Sequence, residues 1–94
     1  MLFRSKAIEY TEQSLALVRE IKHRQGEGVA LGNLGLAYLA LGNYAKAIEY
    51  EQQSLAIARE IKDREGEGLA LGYLGRAYIY LGNYAKAIEC SQQS

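Results

Sequence analysis

Apolar residues along this chain recur at helical spacing, and glycine rather than proline marks where each run stops. Between Glu27 and Leu41 the positions Leu31, Leu34, Tyr38 and Leu41 fall at i, i+3, i+7 and i+10, with Ala30 and Ala37 beside them. From Tyr44 to Arg64 a second stripe runs through Ala47, Ile48, Leu55, Ala58 and Ile61. The spacing predicts a shorter helix over 27–41 and a longer one over 44–64, the latter roughly 30 Å long. Helices this short and amphipathic do not stand alone in water, so antiparallel hairpins are expected. In Leu41-Gly42-Asn43, glycine supplies a positive φ and asparagine a side-chain oxygen to cap the next helix. The segment Asp63-Arg64-Glu65-Gly66-Glu67-Gly68 reads as a charged, flexible surface connection, with Glu67 favouring the positive end of the helix that follows.

The whole pattern is written twice. Residues 6–45 and 46–85 align without a gap and differ at eleven positions, and a third copy opens at Lys86. A fixed period of 40 residues implies a solenoid, in which each unit buries its apolar face against its neighbours. The expected organisation is one array over 1–94: a lone long helix at 6–25, then hairpins at 26–65 and 66–94, the last truncated. Both ends read as cuts through a longer array. That exposes an apolar stripe on the first helix and leaves the last short helix, 67–81, without full cover.

Composition narrows the partners. Eleven basic and eleven acidic side chains cancel, which argues against nucleic acid or an anionic membrane held by bulk charge. No apolar run reaches the ~20 residues needed to span a bilayer, and the first residues lack the apolar core of a signal peptide. The single cysteine, Cys90, cannot form an intrachain disulfide, so a cytoplasmic setting is expected. As the counterpart of Tyr10 and Tyr50, it reads as a half-buried packing residue.

Leu34-Gly35, Tyr38, Gly42, Tyr44 and Ala47 form L-G-x-x-Y-x-x-x-G-x-Y-x-x-A, and Leu74-Gly75, Tyr78, Gly82, Tyr84 and Ala87 form it again. This resembles the tetratricopeptide repeat, a helix-turn-helix unit, and the resemblance covers the chain from Lys6. It implies an all-α, right-handed solenoid of helix hairpins. The longer period is similar to that of Pins-type scaffolds and bacterial multi-repeat signalling proteins. Two features depart from the usual repeat. Arg59 stands where a proline commonly closes the second helix, and six extra residues lengthen the unit. Thr11, Glu51 and Ser91 occupy a site usually filled by a large apolar residue, which predicts thinner packing there.

In the family the first helix of each repeat lines a concave groove. Carried over by position, that face is Val29, Gly32, Asn33, Leu36 and Ala40 in one copy, and Leu69, Gly72, Tyr73, Arg76 and Tyr80 in the other. The helical wheel places these positions opposite the packing stripe. Asn33/Tyr73, Leu36/Arg76 and Ala40/Tyr80 differ in chemistry between copies, as a recognition surface on a common scaffold requires, and Tyr and Arg are favoured interface anchors. Gly32 and Gly72 need a reason mid-helix, either a partner's backbone or tight packing between repeats. The family's chaperone-binding members carry a lysine at the place of Gly32, and its absence argues against that class of ligand. In the Pins-type scaffolds, an asparagine at the place of Asn33 typically contacts the partner's backbone, and one copy here keeps it.

Catalytic chemistry finds no support. His23 is the sole histidine and its counterpart is Asp63, both at a solvated helix end, so neither a triad nor a metal site is expected. Gly26-Glu27-Gly28 follows a helix and lacks the lysine-serine of a phosphate loop. Carboxylates such as Glu9 and Glu49 have basic neighbours at helical spacing and read as a solvated face. Neither an enzyme nor a cofactor is expected. Two functions remain in view: an adaptor that holds a protein or peptide segment in its groove, and a structural element that self-associates head to tail through its cut ends. A regulatory segment of a larger signalling protein is a third reading.

Overall fold

The computed structural model describes residues 6–93. It contains α1 (Lys6–Glu20), α2 (Arg24–Ala40), α3 (Tyr44–Glu60), α4 (Arg64–Leu81) and α5 (Tyr84–Gln93). Each helix packs against the next, and α2 also touches α4. One layer therefore holds α2 and α4, and the other holds α1, α3 and α5.

Helix lengths differ from the sequence expectation. Both α2 and α3 span 17 residues, rather than a short helix and a long one. The segment 63–68 is not a flexible loop: Asp63 is an N-cap, and Gly66 and Gly68 lie in the first turns of α4. The residues beyond the usual repeat length thus extend the first helix of each hairpin toward its N-terminus.

The cause is a compact turn used four times, every 20 residues. Lys22, Gly42, Lys62 and Gly82 all adopt the left-handed conformation, at φ of 57°, 82°, 59° and 82°. In each turn this residue's N–H donates to the carbonyl three back, and the following N–H donates to the carbonyl five back. Gly42 reaches Leu39 and Asn43 reaches Tyr38; Lys62 reaches Arg59 and Asp63 reaches Ala58. These paired bonds close the helix end. The residue after the left-handed one then caps the next helix. His23 Nδ1 accepts from Gly26 N (2.8 Å), Asn43 Oδ1 from Lys46 N (3.3 Å), Asp63 Oδ1 from Gly66 N (3.0 Å) and Asn83 Oδ1 from Lys86 N (3.3 Å).

The core is built where the helices cross. Ile8 and Leu15 of α1 meet Ala30, Leu31 and Leu34 of α2 and Ile57 of α3. Leu39 and Ala47 meet Ala77. Leu71 and Leu74 of α4 meet Cys90 of α5, which is buried rather than half-buried. Of the stripe expected on α3, Ala47 and Ala58 are buried, Ile48 and Leu55 are partly covered, and Ile61 is exposed at the helix end. Ile57 packs in its place.

Lysine bears a Cβ penalty at positive φ that glycine does not. Lys62→Gly should therefore raise the unfolding free energy by roughly 0.5–1 kcal/mol, after the entropic cost of glycine is set against the relieved strain. Urea denaturation followed by circular dichroism would show the midpoint moving upward. Gly82→Ala should move it downward.

Candidate functional site

The eight residues read from sequence as the groove come together in two adjoining depressions between α2 and α4. Val29 and Asn33 from α2 and Leu69 and Tyr73 from α4 line a cavity of about 100 Å³, with Glu51, Ser54 and Ile57 of α3 contributing from beneath. Leu36 and Ala40 from α2 and Arg76 and Tyr80 from α4 line a wider depression of about 370 Å³. Tyr80 stacks on Tyr44 with ring centres 5.1 Å apart. The Arg76 guanidinium lies 5.8 Å from the Tyr73 ring centre, linking the two depressions. Fixed aromatic faces beside apolar side chains make a surface that can take another chain with little loss of its own freedom.

Glycines on α2 bring α3 close. A Cβ at Gly28 would lie 3.1 Å from Ile57 Cγ2, and one at Gly32 would lie 3.2 Å from Ser54 Oγ. Ser54 Oγ itself donates to the Gly28 carbonyl at 2.8 Å. Packing inside the hairpin is therefore the reason for Gly32. Gly72, its counterpart, has no atom within 4 Å of where a Cβ would stand.

Glu51 corrects the expectation of thin packing. It is 1% exposed, pressed against Gly35, where a Cβ would stand only 2.7 Å from the Glu51 Cγ and Cδ atoms. Among the described residues neither carboxyl oxygen meets a hydrogen-bond partner. Burial alone pushes its pKa up to about 8, because the charged form loses its hydration and gains no neighbouring cation. Its counterpart Thr11 instead donates to the Ala7 carbonyl at 2.6 Å on its own helix. Sequence reading did not place Glu51, Ser54 or Asp63 at the cavity. The visible signals were the carboxylate at an apolar register position and the glycines facing it.

Charged pairs brace the hairpin ends. Arg19 pairs with Glu27 at 2.9 Å, and Arg59 repeats the contact with Glu67 at 2.9 Å. Arg24 reaches Glu27 at 2.7 Å and Glu60 through two contacts, one of 3.1 Å. Arg19 and then Arg24 hold the Glu27 carboxyl below its ordinary value, and Arg24 does the same for Glu60. The arginine of each pair is exposed, so solvent screens the contact and each contributes little to stability. Among the described residues no three His, Cys, Asp or Glu side chains are grouped to hold a metal ion, and no helix is long and apolar enough to cross a membrane.

Comparison with known proteins gives a consistent result. Family models described as Tetratricopeptide repeat match residues 5–60 and residues 70–94. The crystal structure of the TPR domain of Arabidopsis FLU is similar, with a TM-score of 0.88 and 28% identity over 94% of this chain and 74% of that one. No curated protein sequence matches.

Because Glu51 keeps its proton in the folded state and loses it when unfolded, the native chain binds one more proton between about pH 4.5 and pH 8. Stability should therefore fall as pH rises through this window, by at most about 1.4 kcal/mol per pH unit, and level off above it. Glu27 and Glu60, held low by arginine, titrate below the window. Thermal melts from pH 5 to pH 9 should show the decline in the wild-type chain. Glu51→Gln should remove this component of the slope.

Proposed function

The chain belongs to the tetratricopeptide repeat family, whose repeats generally mediate protein–protein interaction, and from that premise we propose that the groove between α2 and α4 holds a peptide segment of a partner protein. The observation that carries this reading is the convergence of unlike side chains from equivalent positions. Asn33 and Tyr73 share one depression; Leu36, Ala40, Arg76 and Tyr80 share the next. The scaffold beneath them repeats almost unchanged, so the two halves present different chemistry at a fixed spacing. An extended or helical segment laid along the groove would meet an apolar rim, an amide, a guanidinium and two phenols. The fold is typically a non-catalytic scaffold, and this array acts by binding, in the cytoplasm, where its one buried cysteine stays a thiol.

The test is peptide capture. Tyr73→Ala, Arg76→Ala and Tyr80→Ala should each weaken a selected peptide by tenfold or more while helical content is kept, as anchors of this type do. Titration calorimetry with a peptide recovered from a displayed library reads the change. Unaltered affinity in all three variants would exclude the groove.

A second reading rests on apolar side chains outside the groove. Tyr10, Leu17 and Ile21 on α1 and its turn, and Tyr84 and Ile88 on α5, are exposed. Residues 6–24 nearly duplicate residues 46–64, so α1 of one copy has the surface to cover α4 of another where α5 falls short, as α3 covers α2 within one chain. Light scattering on a size-exclusion column should then show molar mass rising with concentration. A monomer from micromolar to near-millimolar protein removes this reading.

A further inference from the structure

We propose that the cavity over Glu51 seats one arginine side chain of the bound peptide, its guanidinium forked onto the two carboxylate oxygens; this rests on the groove reading above. Three observations converge on that ligand. Both Glu51 oxygens lack a hydrogen-bond partner among the described residues, and the side chain is 1% exposed. An unpaired buried carboxyl is costly, and the cost is recovered only by a donor that reaches it. The lining holds two carboxyl side chains, Glu51 and Asp63, and no lysine, arginine or histidine. The site therefore complements a cation, and two unpaired oxygens suit a planar fork better than a point charge.

The third observation concerns the cavity beside the carboxyl. Val29 and Leu69, at 55% and 54% exposure, stand on either side of a cavity of about 100 Å³, several times what one water molecule needs. Apolar side chains around an acidic recess match an arginine, whose methylene stem covers hydrocarbon while its charged tip travels further. Gly28 and Gly32 keep Cβ atoms out of the lining on the α2 side. The carboxylate has no second copy in the chain, since Thr11, which bonds to its own backbone, and Ser91 stand at the equivalent positions. One arginine is accommodated, in one register.

Binding transfers the Glu51 proton to solvent, leaving a carboxylate paired with the guanidinium. The other titratable groups facing the cavity are Asp63 and Tyr73, at the cap and in the body of α4; α2 contributes none. Affinity should accordingly increase with pH and flatten above about 8.

The experiment selects peptides from a random displayed library on the wild-type chain and on Glu51→Gln at pH 8, with circular dichroism confirming that both are folded. Peptides recovered on the wild type should share arginine at one fixed position. Replacing that arginine by citrulline, its neutral isostere, should weaken binding tenfold or more, and Glu51→Gln should weaken the arginine peptide to a similar degree. Peptides that bind both proteins equally, or show no arginine preference, overturn the arginine seat and leave the groove standing. Lysine at the fixed position overturns the guanidinium fork. Failure to recover any peptide on either protein overturns the seat and the groove together.

Discussion

Where α3 crosses α2, side chains that would hold the two backbones apart are missing, and the rest of the array depends on that close approach. Gly28, Gly32 and Gly35 lie on the crossing face of α2, and Ile57, Ser54 and Glu51 of α3 fill the space that three Cβ atoms would take. A mid-helix glycine costs about 1 kcal/mol against alanine, and here the cost is offset by burial of Ile57 and by the Ser54 bond to the Gly28 carbonyl. The same approach sets the depth of the groove. With α3 drawn up against α2, its side chains become the floor on which α2 and α4 stand as walls.

That geometry makes recognition and packing share residues. Glu51 is at once a core position and the floor of a cavity, and its carboxyl is the price of using one side chain for both. The surrounding residues offer it no cation and no donor, so the hairpin tolerates it as a neutral acid. In the neighbouring hairpin α5 meets α4 with Cys90 near Gly75, at 3.6 Å from where a Cβ would stand, an ordinary contact with no charge to accommodate. The two hairpins thus have the same architecture and different chemistry.

Much of this was legible in the sequence. The family resemblance pointed to one face of each first helix, the helical wheel set that face opposite the packing stripe, and the eight residues named on it line the two depressions. Asn43 and Gly42 announced their turn because their side chains, or lack of one, suit only such a place. The second turn was hidden because Lys62 adopts the left-handed conformation that sequence reading assigns to glycine. Its neighbours Gly66 and Gly68 then read as loop, although both are helical. Glu51 was visible as a departure from the apolar pattern, but its burial depends on Gly35 across the hairpin. No local window contains both.

The turns carry one more implication. Each leaves no spare residue, because the position that ends one helix's hydrogen bonding is followed at once by the cap of the next. An insertion or deletion therefore has to be absorbed inside a helix, and one residue there rotates everything beyond it by about 100°. That rotation would carry the groove stripe away from its neighbour and bring core positions to the surface. Such an array tolerates change in the identity of its groove residues far more readily than change in its length, so new specificities are reached by substitution at a constant frame.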